Sequence, residues 1–152
     1  DNKKLIMIGG NGGSACDAEH FCAELVVRYK NNRKPVKCIS INSSISILTA
    51  SSNDFGYEYS FARSVECFSD KNNLLIILST SGNSKNILKA LKYAQNIGMH
   101  SIALLGKDGG LAKNLSEHHI LVDSYETALI QQAHIVILHY LAMEIENYVI
   151  KK

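Results

Sequence analysis

The chain has 152 residues, of which 46% are hydrophobic and 20% are charged, and its formal net charge at pH 7 is +2. This length and balance are typical of one globular domain that buries about two-thirds of its unfolded surface. So small a charge, without a run of lysine and arginine, argues against a nucleic-acid partner. No run approaches about 18 consecutive apolar residues, so no membrane-spanning helix is expected.

Four cysteines are present, without a C-x-x-C pair or the spacing of a zinc finger. Their neighbours are mostly apolar, which favours buried, reduced side chains over disulfides and fits a cytoplasmic protein. The four are Cys16, Cys22, Cys38 and Cys67. The sequence begins at Asp1, directly before a strand-like run, and we expect a preceding segment to be missing from it.

Five short apolar runs alternate with helical patterns along the chain. The runs are largely continuous, as in strands buried on both faces of a parallel sheet. They span 4–10, 36–41, 73–80, 100–106 and 118–123, and the helical patterns span 14–29, 57–68, 84–97 and about 125–149. The alternation predicts a single α/β domain over 1–152, a doubly wound three-layer sandwich around a five-stranded, mainly parallel sheet.

The last predicted helix is apolar over more than one face. A helix of this kind is typically covered on more than one side. We therefore expect it to pack against another subunit as well as against its own sheet.

A glycine-rich loop, "GGNGGS", follows the first predicted strand and opens a helix. Ligands of open parallel sheets bind beyond the carboxyl ends of the strands, and the exposed N–H groups of a helix start attract anions. The loop lacks the G-x-G-x-x-G spacing of a dinucleotide site and the lysine of a P-loop, so no nucleotide cofactor is expected.

The loop "STSGNS" follows the third predicted strand and supplies four hydroxyl groups before the next helix. Such a neutral, hydroxyl-rich loop suits a single phosphate on a small molecule. The alternative is that its serines and threonine only cap the helix that begins near Ser84. The later stretch "GKDGG", at 106–110, is interpreted as a plain turn.

His20 and Glu24 stand four residues apart and therefore share one face of the first helix. They could take part in chemistry, or they could form a surface ion pair. On the last helix His134 and His139 lie about 140° apart, so they cannot share one ligand. Gln131 can share a face with either histidine, and the spacing leaves that choice open.

Asn53 and Asp54 fall in the stretch "SSNDFGYEYSFAR", which we interpret as a polar loop before a helix. They could be turn-forming residues, or they could bind sugar hydroxyls. The residues alone favour neither reading.

Taken together, "GNGGSACDAEHFCAEL", "SSNDFGYEYSFAR", "STSGNSKNILKAL", "ALLGKDGG" and "TALIQQAH" resemble the sugar isomerase (SIS) domain. More narrowly, they resemble the phosphoheptose isomerase family, in order over about residues 8–145. The resemblance implies a flavodoxin-like sandwich that assembles as a homotetramer, with active sites shared between subunits. The helix that precedes the first strand in that family is missing from this sequence.

The resemblance also implies isomerisation of sedoheptulose 7-phosphate to D-glycero-D-manno-heptose 7-phosphate, for bacterial lipopolysaccharide, capsule or glycoprotein. It gives the catalytic roles to Glu24 and His139. It implies a zinc ion held by His20, Glu24, Gln131 and His139. The phosphate would contact Ser14, Ser79, Thr80, Ser81 and Ser84, and the sugar would contact Asn11, Gly12, Gly13, Asn53 and Asp54.

The implied chemistry needs a base, a proton donor for oxygen, and a group that stabilises negative charge. Glu24, His139 and zinc could fill these roles, although a carboxylate held by zinc is a weaker base. Ala128 and Gln132 depart from the family pattern, and the departure at Ala128 could alter substrate orientation or the sugar accepted. Two alternatives remain, an isomerase of another phosphosugar and a non-catalytic regulator of the same fold that binds a phosphosugar or the replication initiator.

Overall fold

The computed structural model describes residues 4–151 and contains one sheet of five parallel strands in the order β2-β1-β3-β4-β5. Chain order and spatial order therefore differ at β1, which lies between β2 and β3. The strands are β1 (Ile6–Gly10), β2 (Cys38–Ser40), β3 (Leu74–Ser79), β4 (His100–Gly106) and β5 (His118–Val122). The predicted five-stranded α/β architecture is confirmed, and the sheet is parallel throughout.

Over residues 4–151 the strands are accompanied by six α-helices and one 3₁₀ turn, and the last helix follows the last strand. The 3₁₀ turn spans Tyr57–Tyr59. The helices are α1 (Gly13–Val26), α2 (Ile45–Phe55), α3 (Ser60–Cys67), α4 (Lys85–Asn96), α5 (Ala112–Leu115) and α6 (Thr127–Ile150). The sequence patterns had predicted α1, α3, α4 and α6, but neither α2 nor the single turn of α5.

Helix α2 corrects the interpretation of Asn53 and Asp54 as loop residues, because both lie in its last turn. Its sequence, "ISILTASSNDF", is rich in serine and threonine, whose side chains compete for backbone groups and give a weak helical signal. The structure shows how this competition is resolved. Ser44 caps the helix by accepting a hydrogen bond from Ile47 N–H, and Ser52 Oγ donates to the Leu48 carbonyl within it.

Alternate residues of the central strands enter two separate apolar layers. On one face Met7 packs with residues of α3 and α4, including Phe61 and Leu91. On the other face Ile8 packs with residues of α1 and α6, including Phe21. This arrangement explains the continuous apolar runs, because both faces of β1, β3 and β4 are covered.

Helix α6 is long and apolar enough, by length and composition alone, to resemble a membrane span, with a mean hydropathy of 1.3 over its most apolar window. It nevertheless buries the polar side chains of His134 and Glu146 inside the protein. Its other side exposes Leu129, Val136 and Tyr140, which are 50%, 65% and 60% accessible. An apolar helix with one face open is consistent with the expectation of a further packing partner.

The four cysteines are free thiols, and two of them contradict the expectation of burial. Cys16 and Cys67 are exposed, because they lie away from the sheet-facing stripes of α1 and α3. Cys22 and Cys38 are half-buried beside the α1 and α6 layer. Contact with Cys22, together with burial, raises the pKa of the Cys38 thiol, which therefore keeps its proton.

Candidate active site

A cavity of about 340 Å³ opens at the carboxyl ends of β1 and β3. The parallel register brings these ends together, since Gly10 pairs with Leu78 in the adjoining strand. Three segments line it: the loop after β1, the loop after β3 and the first turns of α6. The lining residues are Asn11, Gly12, Gly13, Ser14, Leu78, Ser79, Thr80, Ser81, Ser84, Thr127 and Gln131.

The loop after β3 is held by its own side chains. Ser79 Oγ accepts a hydrogen bond from Gly82 N–H at 3.0 Å, and Ser81 Oγ accepts one from Asn83 N–H at 3.2 Å. Gly82 has a φ of 63°, and a Cβ there would run into the carbonyl oxygen of Gly109. Ser84 occupies the N-cap position of α4, but its side chain makes no capping bond. Capping alone therefore does not account for the hydroxyls of this loop.

The "GKDGG" turn lies directly behind the β3 loop. Asn83 Oδ1 accepts a hydrogen bond from Leu111 N–H at 3.0 Å, and the Gly82 carbonyl accepts one from Ala112 N–H at 2.9 Å. None of the turn residues lines the cavity. The turn supports the loop, in agreement with its interpretation as structural.

Asn11 is positioned by two residues that the sequence analysis did not single out. Its side-chain amide exchanges a pair of hydrogen bonds with that of Asn86, at 3.0 and 2.8 Å. Tyr57 Oη also donates to Asn11 Oδ1 at 2.8 Å. Asn86 is 1% exposed, so its buried amide holds Asn11, in the loop after β1, in position.

Gln131 closes the cavity from the side of α6. A Cβ added to Gly13 would lie 2.8 Å from Gln131 Nε2, so a larger residue at this position would displace the Gln131 amide. The contact brings α6 against the glycine-rich loop of the same chain. The spacing left open whether Gln131 shares a face with His134 or with His139, and the structure places its side chain against Gly13 at the start of α1.

Three side chains converge between α1 and α6, farther along these helices from the cavity. His20 Nε2 lies 3.1 Å from Glu24 Oε1 and 3.2 Å from His139 Nε2. The ring of Tyr29 lies beside that of His139, with centroids 6.0 Å apart. The i, i+4 spacing on α1 thus gives a close pair, and a residue from another helix completes the cluster.

Asp17 is a member of this neighbourhood that the sequence analysis missed. Its Oδ2 is buried and has no hydrogen-bond partner. Burial raises the pKa of the Asp17 carboxyl, and the His20 and His139 rings oppose that rise. The spacing of 17, 20 and 24 along α1 would have placed this carboxyl on the same helical face.

His134 lies on the opposite side of α6 and belongs to the core. It is 0% exposed, and both of its ring nitrogens are buried. Burial lowers the pKa of His134, so the ring is neutral at pH 7. The structure therefore groups His139, and not His134, with His20 and Glu24.

The end of α1 that carries Glu24 is fastened by a buried ion pair. Arg33 donates to the carbonyl oxygens of Glu24 and Leu25, each at 2.7 Å. Its Nε lies 3.6 Å from Glu146 Oε2, and the two side chains are 1% and 2% exposed. Glu146 also accepts hydrogen bonds from the backbone N–H groups of 29–31. This network links the C-terminal part of α6 to the last turn of α1.

Asn53 and Asp54 do not line the cavity. Both are exposed on α2, where Asn53 Nδ2 donates to Asp54 Oδ1 at 2.9 Å. The structure thus brings together all the expected phosphate contacts, and it separates these two expected sugar contacts from them.

The donor set on α1 and α6 suits a metal ion such as Zn²⁺. One ligand atom each from His20, Glu24 and His139 lies within 4.8 Å of the others. Two imidazole nitrogens and one carboxylate oxygen are donors that zinc accepts, and three protein ligands leave a coordination position open. The Asp17 carboxyl, whose Oδ2 is buried without a hydrogen-bond partner, interacts electrostatically with the His20 and His139 rings.

Comparisons with known proteins identify the family to which the chain belongs. The family model described as the SIS domain matches residues 1–106. A phosphoheptose isomerase of Helicobacter pylori is 51% identical over 148 residues, covering 97% of this chain and 77% of that protein. One from Leptospira biflexa is 46% identical, with 94% and 74% covered.

Solved structures of phosphoheptose isomerases are also similar to this chain. The structure of a phosphoheptose isomerase from Francisella tularensis has a TM-score of 0.92 at 32% identity, covering 96% of this chain and 78% of that one. The phosphoheptose isomerase of Neisseria gonorrhoeae has a TM-score of 0.89 at 35% identity, with the same coverage. The chain therefore belongs to the phosphoheptose isomerase family of SIS-domain proteins, and it is an isomerase.

Proposed function

We propose that the protein converts sedoheptulose 7-phosphate into D-glycero-D-manno-heptose 7-phosphate, the first step of bacterial heptose precursor synthesis. The observation that carries this proposal is that α1 and α6 each contribute to two neighbouring sites. Gly13 and Gln131 line the hydroxyl-rich cavity, and His20, Glu24 and His139 form a cluster farther along the same two helices. We propose that the cavity is the phosphate site and that the cluster is the acid–base site.

The phosphate occupies the cavity in this proposal. Ser79, Thr80, Ser81 and Ser84 surround it from the β3 loop, and Ser14 contributes from the start of α1. The N-termini of α1 and α4 both open onto the cavity and supply N–H groups with a favourable dipole. Asn11, Gly12 and Gly13 line the adjoining part, where the first sugar carbons would lie. Asn53 and Asp54, on the exposed end of α2, are proposed to reach the sugar from the rim.

The separation of the two sites favours a long sugar chain. His20 follows Gly13 by seven positions on α1, which corresponds to about 10 Å along the helix axis. A triose phosphate held in the cavity would be too short to reach Glu24. A seven-carbon sugar phosphate has the length to hold its phosphate in the cavity and its carbonyl carbon near Glu24.

Glu24 acts as the base in the proposed reaction. It removes a proton from carbon 1 of the ketose and returns a proton to carbon 2, by way of an enediol. His139, whose Nε2 lies 3.2 Å from that of His20, moves the proton between the two sugar oxygens. The contact with His20 and the adjoining Tyr29 ring hold the His139 imidazole in place.

His20, Glu24 and His139 also provide a site for Zn²⁺. Gln131 is proposed as a fourth ligand, for which its side chain would turn from Gly13 toward this cluster. When bound, zinc would supply a Lewis acid that stabilises negative charge on the sugar oxygens. Because Glu24 belongs to both sets, its carboxylate is proposed to act as a ligand in one state and as a base in another.

We further propose that the enzyme works in the cytoplasm as a homotetramer, with active sites near subunit interfaces. The apolar face of α6 formed by Leu129, Val136 and Tyr140 is accessible in the single chain, and burial between subunits would cover it. The same helix carries Gln131 and His139, so assembly would fix the position of both side chains. The product of the enzyme would serve lipopolysaccharide or capsule synthesis.

The test is turnover of sedoheptulose 7-phosphate by the purified protein, before and after removal of metal with a chelator. We expect isomerisation that falls on chelation and returns with Zn²⁺ in preference to Mg²⁺. Tight binding of the sugar phosphate without any turnover would instead support the non-catalytic regulator. Faster turnover of a shorter phosphosugar would contradict the proposed substrate and retain the isomerase.

A further inference from the structure

Two of the four cysteines lie close together beside the site helix. Cys22 Sγ on α1 and Cys38 Sγ on β2 are 3.1 Å apart. A disulfide has a sulfur–sulfur distance of about 2.05 Å, so the sulfurs need to approach by only about 1 Å. We propose that Cys22 and Cys38 form a reversible intramolecular disulfide when the protein meets a peroxide oxidant.

The surrounding structure holds both thiols in position for this bond. Cys38 begins β2 and pairs with Ile6 of the neighbouring strand. Cys22 lies in the middle of α1, which packs on the same sheet. The connection between them is itself fixed, because Glu146 binds the backbone of 29–31 and Arg33 binds the end of α1. Both thiols are therefore held at a short separation by ordered parts of the fold.

The exposed thiols provide an internal comparison. Cys16 and Cys67 are open to solvent, and their oxidation would join separate molecules or stop at oxygenated products. Cys22 and Cys38 are half-buried and already in contact, so oxidation of one leaves the other thiol in place to attack it. The short distance therefore favours an intramolecular product at this pair.

The reaction balances with hydrogen peroxide as the oxidant. One thiol gives up its proton, and the resulting thiolate attacks peroxide and breaks its O–O bond. The sulfur is oxidised to a sulfenic acid, and the hydroxide that leaves takes up the proton to give one water. The second thiol attacks that sulfenic sulfur, the S–S bond forms, and a second water is released. In sum, two thiols and one peroxide give one disulfide and two waters. Dithiothreitol restores both thiols by thiol–disulfide exchange.

The disulfide would tie the helix that carries His20 and Glu24 to the sheet. It closes a loop between residues 16 positions apart. Closing a loop of that size restricts the unfolded chain and raises the thermal midpoint, by roughly 5–10 °C for a domain of this length. This effect does not depend on the substrate or on the proposed reaction.

The experiment uses the Cys16→Ser, Cys67→Ser double variant, which keeps only the proposed pair. The protein is treated with a small excess of hydrogen peroxide, the remaining thiols are alkylated, and non-reduced peptides are analysed by mass spectrometry. We expect a cross-linked peptide pair that contains Cys22 and Cys38 and is lighter by two hydrogens than the reduced pair. We also expect the thermal midpoint to rise and dithiothreitol to reverse both changes.

Two controls define the outcomes. Adding Cys38→Ala, or separately Cys22→Ala, should abolish the link and the rise in thermal midpoint, and either variant that folds is sufficient. If peroxide leaves both thiols free for alkylation, or carries them to sulfinic acids without a link, the contact is packing alone and the proposal is wrong. A link between two chains in place of the internal one would also overturn it.

Discussion

His134 and His139 lie five residues apart on α6, and the structure gives them opposite surroundings. His139 contacts His20 between α1 and α6, whereas His134 is enclosed in the core. Their spacing showed that they cannot share a ligand, but it did not show which one faces α1. The resemblance to the family favoured His139. The structure supplies the physical reason, because His139 faces His20 on α1 and His134 does not.

Single substitutions of these two histidines distinguish a role in catalysis from a role in core packing. We expect His139→Ala to lower turnover by about 10²–10⁴-fold, because a positioned acid–base group is lost. His134→Leu, which fills a similar volume, should keep turnover near that of the wild type. Initial rates with sedoheptulose 7-phosphate measure both variants. Equal losses with the fold intact would mean that His134 has a role that its burial does not suggest.

The buried ring of His134 also predicts a pH dependence of stability. Its pKa in the folded protein is lowered from 6.5 by burial, so the unfolded chain takes up a proton more readily. The free energy of unfolding should therefore fall as the pH drops below about 6.5, by up to about 1.4 kcal/mol per pH unit.

Denaturant unfolding of wild type and His134→Leu between pH 5 and pH 8 measures this dependence. The variant should show a flatter profile, and His119→Gln, which changes an exposed histidine of β5, should follow the wild type. A wild-type profile as flat as that of the variant would exclude the contribution of His134.

At the scale of elements, α1 is the part of the fold that joins both halves of the site. Its first turn lines the cavity through Gly13 and Ser14, and its second and third turns carry His20 and Glu24. The position of its last turn depends on the buried pair of Arg33 and Glu146. We therefore expect this pair to control the placement of Glu24 as well as stability.

Glu146→Gln tests that connection. Burial alone would raise the pKa of Glu146, but hydrogen bonds from the N–H groups of Asn31, Lys30 and Tyr29 outweigh it and lower the pKa. The carboxylate is therefore stabilising above its usual pKa near 4.5, and this contribution is lost as the pH falls below that value.

The variant leaves Arg33 buried without its counter-ion, and we expect the thermal midpoint at pH 7 to fall by on the order of 10 °C. The difference from wild type should shrink at pH 4. Glu144→Gln, a change two residues away on the same helix, is the matched control. An unchanged midpoint at pH 7 would contradict the proposed role of the pair.

The elements that were predicted correctly share a simple signal. β3 and β4 are continuous apolar runs because helices cover both of their faces, and α4 shows a clear apolar stripe at Ile87 and Leu91. Helix α2 gives no such signal, because only Ser51 is buried along it. Its hydroxyl side chains bond to its own backbone, and a pattern based on burial could not detect it.

The site was predictable to a similar extent. The glycine-rich loop, the β3 loop and the pair of His20 and Glu24 each carry a local spacing signal. The contacts of Asn11 with Asn86 and Tyr57 span 75 and 46 residues of chain, so no local pattern indicates them. The exposure of Cys16 and Cys67 was also missed, since apolar neighbours in sequence do not fix the direction of a side chain.

At the scale of the whole molecule, the apolar face of α6 remains open in the single chain. Val136 and Tyr140 lie one turn apart on that face. A charge placed there would be buried without a partner at the proposed subunit interface, at a large cost in association free energy. The same charge would be solvated in a monomer.

We therefore expect Val136→Glu to reduce the assembly from a tetramer to smaller species, with turnover lowered as a consequence. Light scattering coupled to size-exclusion chromatography measures the mass. Lys92→Glu, on the exposed side of α4, should leave it unchanged. A wild-type protein that is a stable and active monomer would rule out the proposed assembly.

Glu24 is central to the proposed mechanism, because it lies in the metal cluster and is the assigned base. Glu24→Gln keeps the size of the side chain and removes its ability to accept the substrate proton. We expect the rate of isomerisation to fall by about 10²–10⁴-fold. Affinity for the sugar phosphate should survive, because the serine and threonine hydroxyls of the cavity are untouched.

The most direct measurement is the kcat for sedoheptulose 7-phosphate of Glu24→Gln, with sugar-phosphate binding measured separately by calorimetry on zinc-loaded protein. Glu19→Gln, an exposed position on the same helix, is the matched control and should turn over like the wild type. A large loss of kcat with retained binding is the predicted result. Near-wild-type turnover by Glu24→Gln would contradict the mechanism.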